Sequence, residues 1–313
     1  VEPLPGIRRV GRYFHTQAVS IGIQLSLGHA GVGVQTMLDP DGKRAFNTYS
    51  VRVGAYDRNV FRSTVGARQA YVPFDLKGPM AYQRFAFFDE SKKLAEVLAA
   101  VDAAKDDPAV AGIAINTSGM MIDREKLWEL RQSLKDFKTT GKRVVIFVDR
   151  PGIDTYHFAS VADRIVMDPV GMLSLEGYVL GRTFFKGTLE KLGIGYDEWR
   201  FFKYKSAAET FSRDRMSDAD REQRQRLVDE FYRVAKADIL ESRGMTGMDF
   251  DRLVDSTVIF LASDALRLGL VDTLARWEGV REMITRLEGK ERSYMPASRI
   301  EREQLPYDAR WGE

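Results

Sequence analysis

The sequence predicts an α/β protein: βαβ units around a parallel sheet, preceded by an antiparallel, β-rich segment. Three observations carry that expectation. Within residues 1–70, apolar and polar side chains alternate with period two, the pattern of strands that show one apolar face. From Tyr71 onward, short apolar runs take turns with stretches of helical spacing, a rhythm that calls for parallel strands joined by right-handed crossovers. The bulk composition, 313 residues with 44% hydrophobic and 29% charged, describes a globular chain with room for one large domain or two ordinary ones.

In the first segment Val19, Ile21, Ile23, Leu25 and Leu27 alternate with Ser20, Gly22, Gln24, Ser26 and Gly28. Val32, Val34, Thr36 and Leu38 repeat the pattern, as do Tyr49, Val51, Val53 and Ala55, and Asp39-Pro40-Asp41-Gly42 is a turn signal. Two readings of this meander stand open. One is an accessory sheet packed on the main domain. The other is the end of an outer-membrane-type barrel, whose strands of ~10 residues alternate apolar-out and polar-in. Three strands cannot close a barrel, so the second reading calls for further chain upstream.

The next segment, residues 71–290, reads as one α/β domain. Tyr71–Pro79 is a strand ending in a turn, and 91–106 is an amphipathic helix with Leu94, Val97, Leu98 and Val101 on one face. Asp107-Pro108 ends that helix before a buried strand, Val110–Asn116. Residues 123–139 form a second helix, stopped by Gly141, and 143–149 the next strand. A short helix at 156–162, a strand at 164–167, a helix at 183–192 and a strand at 196–202 follow. Ser217-Asp218-Ala219-Asp220 looks like a cap opening a helix that runs to Arg243 and stops at Gly244, ~40 Å long at 1.5 Å per residue. Its length suggests packing across a partner or a second domain, the alternative being one ordinary long surface helix, with Leu227, Phe231, Val234 and Ile239 among the residues facing inward. Residues 291–313 are charged, contain Pro296 and Pro306, and read as a linker. The chain opens at Val1 without methionine and stops abruptly at Trp311-Gly312-Glu313, so the natural protein is expected to continue.

Composition narrows the function classes. A net charge of +2, with Lys and Arg matched by acids throughout, gives no electrostatic case for nucleic acid. There is no cysteine, hence no thiolate nucleophile, and the three histidines (His15, His29, His157) are too scattered for a zinc centre, so no cofactor is expected. No run approaches the roughly 18–20 apolar residues of a membrane-spanning helix, and no leader peptide opens the chain.

The chemistry gathers around Arg200–Phe211, where Lys203 and Lys205 sit among Phe201, Phe202, Tyr204 and Phe211. A free lysine has a pKa of about 10.4, and burial lowers it by disfavouring the ammonium. A lysine among aromatics is thus either a general base or a side chain snorkelling over apolar neighbours. The words Tyr204-Lys205-Ser206-Ala207-Ala208-Glu209-Thr210-Phe211 and Arg213-Asp214-Arg215-Met216-Ser217 resemble the lysine motif of the signal peptide peptidase A (protease IV) family, with Ala208 for its valine and Thr210 for its proline. The ending Ala265…Gly269-Leu270-Val271-Asp272 is similar to the family's as well. The resemblance implies a ClpP/crotonase-like fold and a Ser-Lys dyad with Lys205 as general base. Tyr204 and Glu209 support it, Glu209 either by pairing with a cation to hold the lysine loop or as a solvated acid.

The family's serine lies in Ser-Gly-Gly-Tyr after a strand. Counting back from Tyr156-His157-Phe158-Ala159-Ser160 puts Ile153 at the serine, with Asp154 and Thr155 at the glycines. Isoleucine has no nucleophile. The family's Asn-Ser-Pro-Gly-Gly loop, which shapes the oxyanion region, matches Asn116-Thr117-Ser118-Gly119-Met120, leaving Gly119 and Ser118 as its remnant. No other hydroxyl replaces the serine: Ser118 occupies the proline position, Ser160 suits packing, and Ser206 points away from its neighbour Lys205. His157 and Asp154 are expected to make a surface pair rather than part of a triad.

The resemblance implies the lysine-bearing first half of the family's long form, whose second half supplies the serine. The implied protein is a serine endopeptidase of the bacterial envelope, membrane-associated on the periplasmic side and cleaving signal-peptide remnants or other membrane-associated peptides. Its partners would be a peptide substrate, the second peptidase half and further copies in a homo-oligomer built through the long helix. This chain alone would be inactive. The alternatives are a catalytically silent scaffold of the same family, and a crotonase-like acyl-CoA enzyme with Asp154 as its thin case for a base.

Overall fold

The structure, a computed structural model, describes residues 7–8, 19–39, 41–57, 69–82 and 91–300. The alternation of the first segment becomes an antiparallel meander of β1 (Ile7–Arg8), β2 (Val19–Ser26), β3 (Gly28–Leu38) and β4 (Arg44–Asp57), paired in that order. The hairpin between β3 and β4 is set by Asp39, whose Oδ1 accepts from the amides of Asp41 (3.0 Å) and Lys43 (2.8 Å). Its Gly42 takes a φ of 77°, which a side chain would resist. Register puts Ile23 beside Val34 and Val34 beside Tyr49, and likewise Leu25 beside Val32 and Val32 beside Val51. One face of the sheet is therefore apolar. That face is open: Val51 is 78% exposed and Val53 82%, and no described residue before Ala70 enters either hydrophobic core.

The α/β part follows in chain order. β5 (Ala70–Asp75), β6 (Gly78–Ala81) and β7 (Lys92–Lys93) lead to α1 (Leu94–Asp106) and β8 (Val110–Asn116). Then come β9 (Met120–Met121), α2 (Arg124–Lys138), β10 (Arg143–Val148), α3 (Ile153–Ala159), β11 (Arg164–Met167) and β12 (Met172–Ser174). The short α4 (Lys186–Lys191) and α5 (Glu209–Ser212) precede the long α6 (Asp218–Arg243), then α7 (Gly247–Ser256), β13 (Ile259–Leu261), α8 (Ala262–Arg267), β14 (Thr273–Leu274) and α9 (Val280–Glu288). Five strands form the central sheet in the order β14-β11-β10-β8-β5, all parallel.

Both faces of that sheet are covered, which is why its strands read as unbroken apolar runs. Val72, Ile113, Ile115, Val144, Ile146 and Ile165 pack under α1, α2 and α3, where Leu94, Val101, Leu127, Leu134 and Phe158 meet them. Tyr71, Val145, Phe147 and Val166 face the other way, onto Val280 and Ile284 of α9. Gly112 is required between β5 and β10: a Cβ there would lie 2.5 Å from both the Arg143 carbonyl and the Tyr71 ring.

Several boundaries differ from the sequence reading. The helix expected at 156–162 starts earlier, at Ile153, and that expected at 183–192 shrinks to Lys186–Lys191. Residues 196–202 are not a strand: among the described residues no neighbouring strand takes their backbone bonds, and Trp199, Phe201 and Phe202 lie on the surface. The long helix does begin at a capped Ser217, whose hydroxyl accepts from the Asp220 amide, and ends at Gly244 with φ 64°. It is seated at its first turn, through Ala219 and Asp220, and in its C-terminal half, through Ala235 and Ile239, whereas Leu227 between them is exposed. Residues 291–300, read as the start of a linker, lie on β5. The Tyr71 amide donates to Ser293 O (2.9 Å), the Met295 amide donates to Tyr71 O (2.9 Å), and Met295 and Ile300 are buried. Residues 301–313, the remainder of that expected linker, lie outside the described residues.

Candidate active site

In an open parallel sheet, ligand sites form beyond the carboxyl ends of the strands. Here β8 and β10 are parallel neighbours with Asn116 in register with Phe147, so the loops leaving them lie side by side. The first loop is stapled to the second strand: both the amide and the hydroxyl of Thr117 donate to Phe147 O, at 3.1 and 2.9 Å. Asn116 Oδ1 accepts from the Ser118 amide at 3.0 Å, and Gly119 adopts φ 66°, the left-handed turn that only glycine takes without strain. The Gly119 carbonyl accepts from Gly78 N, tying this remnant loop to β6.

The second loop ends at Gly152, the N-cap of α3, so Ile153 stands at the first position of the helix, 5% exposed. Around that first turn lies a cavity of ≈ 280 Å³ lined by Gly152, Ile153, Asp154, Thr155, Glu176 and Tyr178, among others. The position that the motif count assigned to the serine is thus filled by a buried aliphatic side chain at a helix start. Asp154 is already engaged: its Oδ1 accepts from Arg124 Nε (2.9 Å) and from the Tyr178 hydroxyl (2.8 Å). Burial, then the bond to Asp154, pushes the Tyr178 phenol well above its usual range.

The expected His157–Asp154 pair is not made. His157 is buried and its Nε2 meets Asp238 Oδ2 of α6 at 2.7 Å, beside the fully buried Arg131, whose Nε donates to the same carboxylate at 3.2 Å. Burial lowers the His157 pKa against the pull of Asp238. Ser160 donates to His157 O (2.8 Å) and is wholly buried, which suits packing.

Lys205 does not line this cavity. It sits on a turn before α5, with its amide donating to Phe202 O (3.2 Å), and its side chain is exposed. The turn is clamped on both flanks. Gln223 Nε2 donates to Tyr204 O (2.9 Å), Arg182 Nη1 donates to Ser206 O (2.7 Å), and the buried Ser206 hydroxyl donates to Asp220 Oδ1 (2.6 Å). Asp220 also pairs with Arg182 (3.2 Å) and Arg224 (3.0 Å). Glu209, 0% exposed, is gripped by Arg200 and by the Ser217 hydroxyl, and accepts from the Ser217 amide at 3.1 Å. Burial alone would raise its carboxyl; the Ser217 and Arg200 bonds outweigh that and hold it at about 2. Glu209 is therefore a buried clamp of the lysine turn rather than a solvated acid.

The two lysines differ in kind. Lys203 Nζ bonds the Tyr204 hydroxyl (3.0 Å) and Glu222 (3.2 Å), and those bonds raise its pKa. Lys205 Nζ has no hydrogen bond or ion pair among the described residues. The aromatic neighbours expected to bury it are themselves at the surface: Phe201 is 83% exposed and Phe202 70%. Any solvent-excluding cover over Lys205 has to come from outside the described residues.

Residues 136–290 match the sequence profile of Peptidase family S49, a span that holds Ile153, the Glu209 clamp and Lys205. The chain belongs to that family. This S49 chain is 30% identical to Protease 4 of Salmonella typhi over 144 residues, 46% of this chain and 23% of the relative. It is 27% identical to Protease 4 of Haemophilus influenzae over 216 residues, 68% of this chain and 34% of that one. The S49 chain thus spans about a quarter to a third of the length of the curated relatives it matches. Among solved structures, the 1510-N membrane-bound stomatin-specific protease overlays with a TM-score of 0.44 at 10% identity, covering 74% of this chain and 98% of that one.

Proposed function

We propose that this chain is the lysine-bearing half of a serine endopeptidase in which Lys205 is the general base and the nucleophilic serine lies outside residues 1–313. One observation carries the reading. Lys205 is the lysine of the motif whose amine has no partner among the described residues, on a turn held by Gln223 on one side and by Arg182 and the buried Ser206–Asp220 bond on the other, while the position that the motif aligns with the serine is a buried isoleucine. A Ser-Lys dyad needs a hydroxyl within hydrogen-bond reach of an amine that has lost its water. The exposed surface around the turn (Val179, Trp199, Phe201, Phe202) and the open stretch of α6 around Leu227 offer a docking face for a second peptidase half or another copy, whose arrival would desolvate Lys205. The lysine would then take the serine's proton, the serine would attack the peptide carbonyl, and backbone N–H groups would hold the oxyanion. Membrane-associated peptides at the periplasmic side of the bacterial envelope are the substrates this reading assigns.

The test is kinetic, on the full-length protein with a fluorogenic peptide. Lys205→Ala lowers kcat/KM by about 10³-fold or more, whereas Lys203→Ala, which loses only an exposed pair, stays within about tenfold. Equal losses from the two variants would overturn the assignment. Undiminished turnover in Lys205→Ala would likewise overturn it, and no turnover by the wild type would favour a catalytically silent scaffold, the reading that the buried Ile153 supports. The acyl-CoA alternative lacks its base, since Asp154 is committed to Arg124 and Tyr178.

A further inference from the structure

The sheet β2–β4 takes no part in the site above, and its two faces differ in a way that identifies what lies against one of them. On one face four successive rows of side chains run Ile21-Thr36-Asn47, Ile23-Val34-Tyr49, Leu25-Val32-Val51 and Ala30-Val53. On the other stand Gly22-Gln35-Thr48, Gln24-Gly33-Ser50 and Ser26-Gly31-Arg52, with Met37 and Phe46 beside the hairpin. The polar face has its own bonds: Gln35 Nε2 donates to Ser20 Oγ at 2.8 Å, and Arg52 reaches Ser26 at 3.5 Å.

We propose that the apolar face of this sheet lies against the hydrocarbon of a lipid bilayer, as part of the wall of an outer-membrane-type β-barrel. Four features favour lipid over protein. The face carries no Asp, Glu, Lys or Arg over its four rows, and the charges gather in the hairpin at Asp39, Asp41, Lys43 and Arg44. An electrically neutral band with charge confined to its end complements hydrocarbon, where a lipid-facing charge is strongly unfavourable. The strands, at 8, 11 and 14 residues, exceed the 5–6 typical of globular sheets. Tilted by ~45°, the 11 residues of β3 rise ~26 Å, close to the ~25 Å apolar band of such barrels. At the hairpin end of the band the polar groups satisfy one another: Thr36 Oγ1 donates to Asn47 Oδ1 (3.1 Å) and Asn47 Nδ2 to the Tyr49 hydroxyl (3.3 Å), placing an aromatic with a polar tip at the band's edge. The opposite face, small and polar, is that of a barrel interior rather than of a second packing layer. Barrel closure draws on strands beyond the four described here, so the experiment uses the full-length protein.

Residues 1–313 contain no cysteine, which makes single-site labelling direct. In a cysteine-free full-length background, Ile23→Cys, Val51→Cys and Val53→Cys report the apolar face, and Gln35→Cys and Ser50→Cys the polar one. Each is spin-labelled and the protein reconstituted into phosphatidylcholine vesicles. Collision with oxygen, which concentrates in hydrocarbon, is compared with collision with a water-soluble nickel chelate. The expected result is a period-two pattern: labels at 23, 51 and 53 are oxygen-accessible and nickel-protected, and the ratio drops several-fold at 35 and 50. Nickel access at all five positions would overturn the proposal in favour of a solvated sheet. Protection of 23, 51 and 53 from both reagents would overturn it in favour of a protein cover, a second copy or another domain.

Discussion

Removing Glu209 tests how the lysine turn is held. In Glu209→Ala the Arg200 guanidinium and the Ser217 hydroxyl and amide lose their shared acceptor, and Arg182, 3.8 Å away, loses a neighbouring charge. Breaking a buried ion pair from one side costs about 3–5 kcal/mol. The Arg200 and Arg182 side chains keep 18% and 12% of their surface exposed, so water can rehydrate them and the lower end, about 3 kcal/mol, applies. If the turn unfolds together with the sheet, the melting temperature falls by about 5 °C for a chain of this size. If it opens alone, amide exchange accelerates in residues 196–217 and leaves β8 and β10 protected. Chemical denaturation paired with hydrogen exchange separates these outcomes. The pH dependence follows from the direction of the shift. A carboxyl held at about 2 when folded, against about 4.3 when unfolded, contributes stability that is complete above pH ~4.3 and lost as pH falls toward 2. The gap between wild type and Glu209→Ala should therefore close across that window. A loss below about 0.5 kcal/mol, the level of a solvated surface pair, or a gap unchanged by acid, would refute the clamp.

Two further predictions follow. Ile153→Ser places a hydroxyl at the helix start, but no lysine lines that cavity and its Asp154 is committed to Arg124 and Tyr178, so it should gain no reactivity toward a fluorophosphonate in this chain, while losing about 2–3 kcal/mol of stability from the emptied apolar site. The buried His157 has its pKa lowered, so the stability it contributes as a neutral ring is present above the unfolded value of about 6.5 and is lost as pH falls through the lower folded one. His157→Gln should flatten that part of the stability–pH curve, read by denaturant midpoints from pH 7 to 4.

What the sequence made legible was whatever repeats at short range. Period two located β2, β3 and β4, the unbroken run of 110–116 located β8, and Ser217 and Gly244 marked both ends of α6. The stretch 196–202 misled because aromatic, β-favouring side chains do not make a strand without a neighbour to pair with. The clamp escaped for the opposite reason. Arg182, Arg200, Glu209, Ser217 and Asp220 have no mutual spacing that marks them, and only the fold of the turn onto the start of α6 brings them together. His157 looked toward Asp154 in sequence, but its real partner, Asp238, lies 81 positions away. Glu209 and Ser217 offered a partial signal, as members of the motif words, but nothing in their spacing paired them with Arg182 or Arg200.

The central claim, a base in this chain and a nucleophile outside it, is tested most directly by finding the reactive serine. The full-length protein is treated with a fluorophosphonate and the modified peptide is identified by mass spectrometry, for wild type and for Lys205→Ala. The account predicts one labelled serine outside residues 1–313, with labelling lost in Lys205→Ala and kept in Lys203→Ala. A label on Ser118, or on any other serine of this chain, would contradict it, as would undiminished labelling without Lys205.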